Sequence, residues 1–362
     1  MKVGILGGGQ LARMLAIAGY PHGLTFTAFD PAKGVCAGDV CPVVEADYGD
    51  DAALKHFGEQ VDVVTFEFEN VAIESAQALE QTVPLYPSTK ALAATQDRLV
   101  EKSLFRDLGI KTPGFQAIDT RDDVQAAIDA LGLPLVIKTR RFGYDGKGQF
   151  VLRTTEQIDE LWNELGGQAL IAEAFVPFDR EVSIIAVRSQ QGDVRFYPLT
   201  QNEHRSGILH LSRPLVNGDS RTAQAQEFIS TLLNKLDYVG TIALELFQVG
   251  DELLANEFAP RVHNSGHWTI EGAETSQFEN HVRAVAGIPL GDTRAIEHSA
   301  MINIIGDFPD RQAIQAIDGA HFHDYGKAPR AGRKIGHVTV TAPDAVTLDQ
   351  RIAAVTGVMF PA

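Results

Sequence analysis

The sequence predicts an α/β protein whose centre shifts to α+β character, and three stretches predict it. Lys2–Leu6 is an apolar run that leads through Gly7-Gly8-Gly9 into the helical pattern Gln10–Ala18, which Gly19 closes. Lys138–Gly148 packs four basic residues and three glycines between two strand-like runs. Thr241–Trp268 holds the runs Ile242–Val249 and Leu253–Phe258, joined by Gly250-Asp251-Glu252, a three-residue hairpin turn. The first stretch is a parallel, Rossmann-like opening, and the other two belong to antiparallel structure.

The chain has 362 residues, 44% of them apolar and 22% charged, which suits two or three domains with ample core. A net charge of −16 argues against a nucleic-acid or anionic-membrane surface, so anionic substrates need local basic clusters. Cys36 and Cys41 are too few for a disulfide framework or a four-ligand zinc site and fit a reducing, cytoplasmic setting. No run approaches 18 apolar residues, and no signal-peptide core forms after Lys2.

Taken in order, Leu24–Phe29 and Val61–Phe66 read as further strands of the first domain. Gly7, Gly9 and Ala12 satisfy a dinucleotide-binding pattern, and Asp30 lies where a ribose-binding acid is placed. This supports an NAD-dependent oxidoreductase as a rival reading. A tight turn with an anion seat at a helix N-terminus explains the same glycines. Gln10 and Glu69 lie past strand ends, where ligands of open sheets sit. For Glu69 a capping or solvated role is favoured.

Ser88 is a candidate N-cap, and Asp97–Leu108 an amphipathic helix with Leu99, Leu104 and Leu108 on its apolar face. Thr120–Leu131 and Thr155–Leu165 read as helices. Pro134–Lys138, Gln149–Leu152, Ala169–Phe175, Glu181–Val187 and Val194–Pro198 read as strands. Glycines let amides approach an anion and basic residues neutralise it, so Phe142–Gly148 suggests a flap over phosphates. It is not a P-loop, since no GK[ST] follows. A basic hairpin tip is the plain alternative. Glu173 and Glu181 lie near strand ends, and His204 and His210 have no evident role from context alone.

In the central hairpin, closing the turn at 250–252 sets Val249 opposite Leu253 and Glu245 opposite Glu257, with Cβ atoms about 5 Å apart. Facing carboxylates repel, and a hard divalent cation such as magnesium removes the conflict. One exposed Glu, with the other paired to an Arg such as Arg261, is the competing explanation.

Gln277–Ala286 reads as a helix, Ala300–Ile305, Ala320–His323 and His337–Thr341 as strands, and Ala345–Thr356 as the last helix. Lys327–Lys334 places four cations in eight residues, as a phosphate-binding turn or a solvated loop.

FGYDGKG (Phe142–Gly148), APRVHNSGHWT (Ala259–Thr269) and GRKIGHV (Gly332–Val338), behind GGGQLARM, resemble the 5-(carboxyamino)imidazole ribonucleotide synthase family of the ATP-grasp superfamily. The resemblance covers essentially the whole chain. It implies an ATP-grasp fold with an N-terminal domain at 1–95, an ATP-grasp domain at 96–290 with a lid near 110–170, and a C-terminal domain at 291–362. It implies a ligase of purine biosynthesis that uses ATP, magnesium and bicarbonate to carboxylate 5-aminoimidazole ribonucleotide through carboxyphosphate. A cytoplasmic homodimer is implied as well.

By matching position, Arg98 and Lys138 bind ATP phosphates under the flap Phe142, Gly143, Tyr144, Asp145, Gly146, Lys147 and Gly148. Glu173 and the backbone of Ala174, Phe175 and Val176 lie at the adenine, Glu181 at the ribose, and His204 beside the nucleotide. Glu245 and Glu257 hold magnesium, with Asn256 beside them. Arg261, His263 and Asn264 anchor bicarbonate or carboxyphosphate. Gln10, Tyr144, Lys147, Lys327, Arg333 and Lys334 bind the ribonucleotide. Phe142 stands where the family commonly has glycine, and Ala12 replaces a frequent glycine.

Overall fold

A computed structural model describes residues 1–143 and 147–360. Among them the strands form three sheets. The first is parallel, in the order β3-β2-β1-β4: β1 (Lys2–Leu6), β2 (Thr25–Phe29), β3 (Val43–Val44) and β4 (Val63–Phe66). Helices α1 (Gln10–Gly19), α2 (Asp51–Glu59), α3 (Ile73–Glu80) and α4 (Thr89–Thr95) accompany it. Strands covered on both faces read as continuous apolar runs, and β4 is buried throughout. Ser88 precedes α4 but makes no capping hydrogen bond. The Glu80 carboxylate accepts from the Thr89 amide (3.1 Å) and does that work instead.

Helix α5 (Arg98–Asp107) leads out of this domain, capped by the Asp97 carboxylate on the Leu99 amide (2.9 Å). Its inward face corrects the sequence reading. Leu99, Leu104 and Leu108 are only partly buried, while Glu101, Lys102 and Phe105 are buried.

The second sheet is antiparallel, β5-β8-β6-β7: β5 (Phe115–Ile118), β6 (Leu135–Thr139), β7 (Gln149–Leu152) and β8 (Leu170–Ala174), backed by α6 (Arg121–Leu131) and α7 (Ile158–Leu165).

The third sheet runs β14-β13-β9-β11-β12-β15-β17-β16, with β10 on β9. Its members are β9 (Arg180–Arg188), β10 (Val194–Phe196), β11 (Thr200–Arg205), β12 (Ile208–Pro214), β13 (Gly240–Val249), β14 (Glu252–Ala259), β15 (His298–Ile305), β16 (Ala320–Asp324) and β17 (Lys334–Ala342). The β11/β12 hairpin replaces what the sequence left unassigned around His204 and His210. Helix α8 (Thr222–Lys235) buries Ile229, Leu232 and Leu233 in the core that Val182, Ile184 and Leu244 share. The short α9 (Thr269–Gly272) leads into α10 (Gln277–Val285), whose Phe278 and Val282 join Leu11 and Leu15 of α1 in one core and so dock the first domain. Helices α11 (Arg311–Gln315) and α12 (Ala345–Met359) complete the chain.

Because β12 pairs with β15 (Leu211↔Ile302), the C-terminal strands extend the central sheet. The loop 327–334 that precedes β17 lines the same cleft as the hairpin glutamates, although β14 and β16 are at opposite edges of the sheet. No helix among the described residues is long and apolar enough to cross a membrane.

Candidate active site

The β13/β14 hairpin turns on two residues, Gly250 and Asp251, so Val249 faces Glu252 rather than Leu253. This moves the register one place from the sequence reading. A β-bulge then restores it: Leu246 faces Ala255, Glu245 faces Glu257, and Asn256 is the extra residue. The bulge leaves Asn256 Oδ1 buried, with no hydrogen-bond partner among the described residues. Two carboxylates and an orphaned amide oxygen form a hard-oxygen donor set, which fits magnesium.

Neither glutamate is alone. Arg98 donates to Glu257 (2.7 Å), and His263 Nε2 lies 3.2 Å from Glu245 Oε1. The cation beside Glu257 is therefore Arg98, not Arg261. Burial, then the charge of Glu257, pushes the Glu245 carboxyl up to about 7. Burial acts the same way on Glu257, but Arg98, with Lys138 beyond it, outweighs that and holds it low.

A cleft of about 850 Å³ opens above the hairpin, lined by the second and third sheets, the start of α1 and the residues that follow β4. Of the nominated residues it gathers Gln10, Arg98, Lys138, Phe142, Gly143, Lys147, Glu173, Ala174, Phe175, Val176, Glu181, His204, Glu245, Asn256, Glu257, Arg261, His263, Asn264, Lys327, Arg333 and Lys334. Tyr144, Asp145 and Gly146 fall outside the described residues. Gly148 does not line the cleft. At φ +69, a Cβ there would meet Thr139 Oγ1 at 2.7 Å, so this glycine serves the return of β7 past β6. Phe142 also has a positive φ, +62, and is 68% exposed, so the position usually held by glycine has the backbone that favours glycine.

Glu69 is neither a cap nor solvated. It grips Arg261 with both oxygens, at 2.5 and 2.9 Å, and fixes the guanidinium over the cleft floor. The Ser265 amide donates to His263 Nδ1 (3.3 Å), which leaves the proton on Nε2, facing Glu245. Burial, then Arg261, lowers the His263 pKa to about 3, so the ring is neutral. Behind it, Ser265 Oγ, Ser183 Oγ, Asn202 and Ser212 form a buried hydrogen-bonded chain. The Asn264 amide exchanges two hydrogen bonds with Asn303 (3.0 and 2.7 Å), so most of its capacity is spent on being held in place. His204 Nδ1 meets Glu181 Oε2 at 2.5 Å.

On β8, the Glu173 carboxylate is taken by Lys138 (3.0 Å) and Lys102 (3.3 Å). Its side chain is paired with lysines, and it lines the cleft together with Ala174, Phe175 and Val176. Phe178 and Phe247 stack there at 4.9 Å. Burial, with Arg333 and Lys334 nearby, lowers the Lys327 pKa, against the opposing pull of Cys36 and Glu67.

The Gly7–Gly9 turn holds no open anion seat. The Gly8 amide donates to Asp30 (2.8 Å) and the Gly9 amide to Glu67 (2.9 Å). Asp30 thus occupies an amide that a pyrophosphate would need, which removes the support for the oxidoreductase reading.

Three family models match successive stretches of the chain. Residues 1–96 match a ribonucleotide synthetase preATP-grasp domain, 103–278 an ATP-grasp domain, and 299–351 a phosphoribosylaminoimidazole carboxylase C-terminal domain. The N5-carboxyaminoimidazole ribonucleotide synthase of Pseudomonas aeruginosa is 52% identical over 98% of both chains. The chain belongs to the N5-carboxyaminoimidazole ribonucleotide synthase family. Among solved structures, the synthetase of Thermus thermophilus superimposes with a TM-score of 0.94 at 50% identity, covering 99% of each chain. The Aspergillus clavatus synthase in complex with ADP and 5-aminoimidazole ribonucleotide gives 0.91 at 29% identity, covering 99% of this chain and 98% of that one. Family membership makes this an ATP-grasp ligase.

Residues that sequence reasoning missed are Glu69 as the clamp of Arg261, Asn303 as the holder of Asn264, and the buried pair Glu101 and Lys102. Charged residues at helical spacing beside Arg98 were the available signal for the last two.

Proposed function

We propose that this chain carboxylates 5-aminoimidazole ribonucleotide with bicarbonate at the expense of ATP, as a step of purine biosynthesis. The observation that carries the reading is the bulged hairpin: Glu245, Glu257 and the orphaned Asn256 oxygen face a cleft ringed by Arg98, Lys138, Arg261 and the basic loop 327–334.

Bicarbonate is a poor acylating agent. Transfer of the γ-phosphoryl group breaks its bond to ADP and forms a P–O bond to bicarbonate, giving carboxyphosphate. Its carbon then bonds to the exocyclic nitrogen of the ribonucleotide, directly or as carbon dioxide. The C–O bond to phosphate breaks, phosphate leaves, and the amine loses a proton. Magnesium, held by Glu245, Glu257 and Asn256, neutralises phosphate charge when bound.

The protein groups do the positioning. Arg98 and Lys138 hold phosphate oxygens, and Arg261, fixed by Glu69, holds the bicarbonate or carboxyphosphate oxygens. Neutral His263 offers its Nε2–H to the same group and Asn264 its remaining N–H. Ala174–Val176 and the Phe178/Phe247 pair receive the base, and Glu181 with His204 the ribose. Gln10, Lys327, Arg333 and Lys334 take the acceptor ribonucleotide, helped by Tyr144 and Lys147 of the flap, which excludes water from a hydrolysable intermediate. In this reading the chain divides at residues 95 and 290 and works as a cytoplasmic homodimer.

ADP release measured with bicarbonate, with and without 5-aminoimidazole ribonucleotide, tests the proposal. Release should depend on the ribonucleotide, and NADH should not bind. Ribonucleotide-independent release, or NADH binding at the glycine turn, would overturn it.

A further inference from the structure

Helix α5 turns a lysine into the protein. Lys102 is fully buried and does not line the cleft. Its Nζ lies 3.3 Å from Glu173 Oε2 and 3.4 Å from the Ala255 carbonyl, next to the bulge. The same carboxylate oxygen accepts from Lys138 Nζ at 3.0 Å, while Glu173 Oε1 has no partner among the described residues. Glu173 is 3% exposed. One buried carboxylate thus carries two ammonium groups on one oxygen, Lys138 from the cleft side and Lys102 from the core side.

A buried ion that loses its only partner is strongly destabilised. If Lys138 were the only partner of Glu173, moving its ammonium to a phosphate would strand a carboxylate in the protein. The phosphate would then compete with Glu173 for the same cation. We propose that Lys102 is the standing counter-ion of Glu173, and that its presence frees Lys138 to transfer its ammonium to the nucleotide phosphates. Lys102 is a positioning residue: it touches no substrate and acts through Glu173 on Lys138. Burial alone would raise the Glu173 carboxyl, yet Lys102 and then Lys138 outweigh it and hold it at about 2, so the carboxylate is charged with both lysines in place. The inference rests on Lys138 as a phosphate ligand.

The test is calorimetric ADP binding with magnesium in the full-length protein. Lys102→Met should weaken ADP binding roughly tenfold or more, since Glu173 then retains Lys138. Adding Glu173→Gln should restore the affinity to within about threefold, because nothing then holds Lys138 back. A lysine that merely ties β8 to β14 predicts no such rescue. The Michaelis constant for 5-aminoimidazole ribonucleotide should not move in either variant. Wild-type affinity in Lys102→Met, or no recovery in the double variant, would overturn the proposal. Lys138→Met is the control: unchanged ADP binding there would remove the phosphate assignment itself. Should Lys102→Met not fold, Glu173→Gln alone decides, and it should bind ADP at least as tightly as wild type. Weaker binding would count against the idea.

Discussion

At the N-terminal glycine turn the amides of Gly8 and Gly9 donate to Asp30 and Glu67, whereas at the β13/β14 bulge Asn256 Oδ1 has no partner among the described residues and two carboxylates face each other. The first region has the sequence pattern of a nucleotide site and the chemistry of a finished turn. The second has the pattern of an electrostatic error and the chemistry of an unfinished site. A motif describes backbone shape. Whether its polar groups are already satisfied decides whether a ligand is needed.

That contrast can be broken or sharpened by substitution, and the largest effect should come from the hairpin. Glu257→Gln should lower magnesium-dependent ATP turnover by about 100-fold or more, because it removes a metal ligand and the partner of Arg98 together. Steady-state ADP release checks this, and undiminished turnover would remove the metal assignment.

A second effect separates satisfied bases from waiting acids. His281 is buried between Thr65 Oγ1 (2.8 Å) and the Thr241 amide (3.1 Å), and burial holds its pKa to about 3. Its folded pKa lies below the unfolded value of 6.5, so its contribution to stability is complete above that value and is lost as pH falls towards 3. Urea unfolding should show stability falling by up to about 1.4 kcal/mol per pH unit from this residue alone. His281→Gln should flatten that slope; an unchanged slope would mean that the ring is charged in the folded state.

The acceptor end should respond less. Lys327→Ala should weaken ribonucleotide binding about tenfold, near 1.4 kcal/mol, and ATP binding much less. The reverse order would put the acceptor elsewhere. The smallest effect belongs to the glycine turn. Gly7 has φ +105, and a Cβ there would lie 2.6 Å from Glu67 Cγ. Gly7→Ala should therefore cost roughly 1–3 kcal/mol of stability without changing Mg-ATP affinity. A selective loss of ATP affinity would reverse the comparison.

How much of this the sequence disclosed depends on what kind of signal each residue leaves. The strand–glycine turn–helix opening and the flap strands are local patterns, and β7 (Gln149–Leu152) falls where its apolar run ends. The opposed glutamates were legible too, but through two offsetting departures: a turn one residue shorter than read, and a bulge at Asn256 that no periodicity announces. In helix α5 apolar spacing points to Leu99, Leu104 and Leu108, whereas the buried residues include two charged ones. Its buried Glu101 and Lys102 are stabilised by the Phe258 amide (2.7 Å) and Glu173, partners more than 70 residues away in the chain. Glu69 suggests a capping or solvated role for the same reason: its partner Arg261 is 192 residues away in the chain.

The central claim is that the metal carried by the nucleotide completes the bulged hairpin, and a crystal structure with ADP and magnesium tests it most directly. The account predicts magnesium between Glu245 and Glu257, Asn256 Oδ1 within reach of the metal or its water, and the phosphates beside Arg98 and Lys138. A nucleotide lodged at Gly7–Gly9, with Glu257 still on Arg98 and Glu245 still on His263, would contradict it.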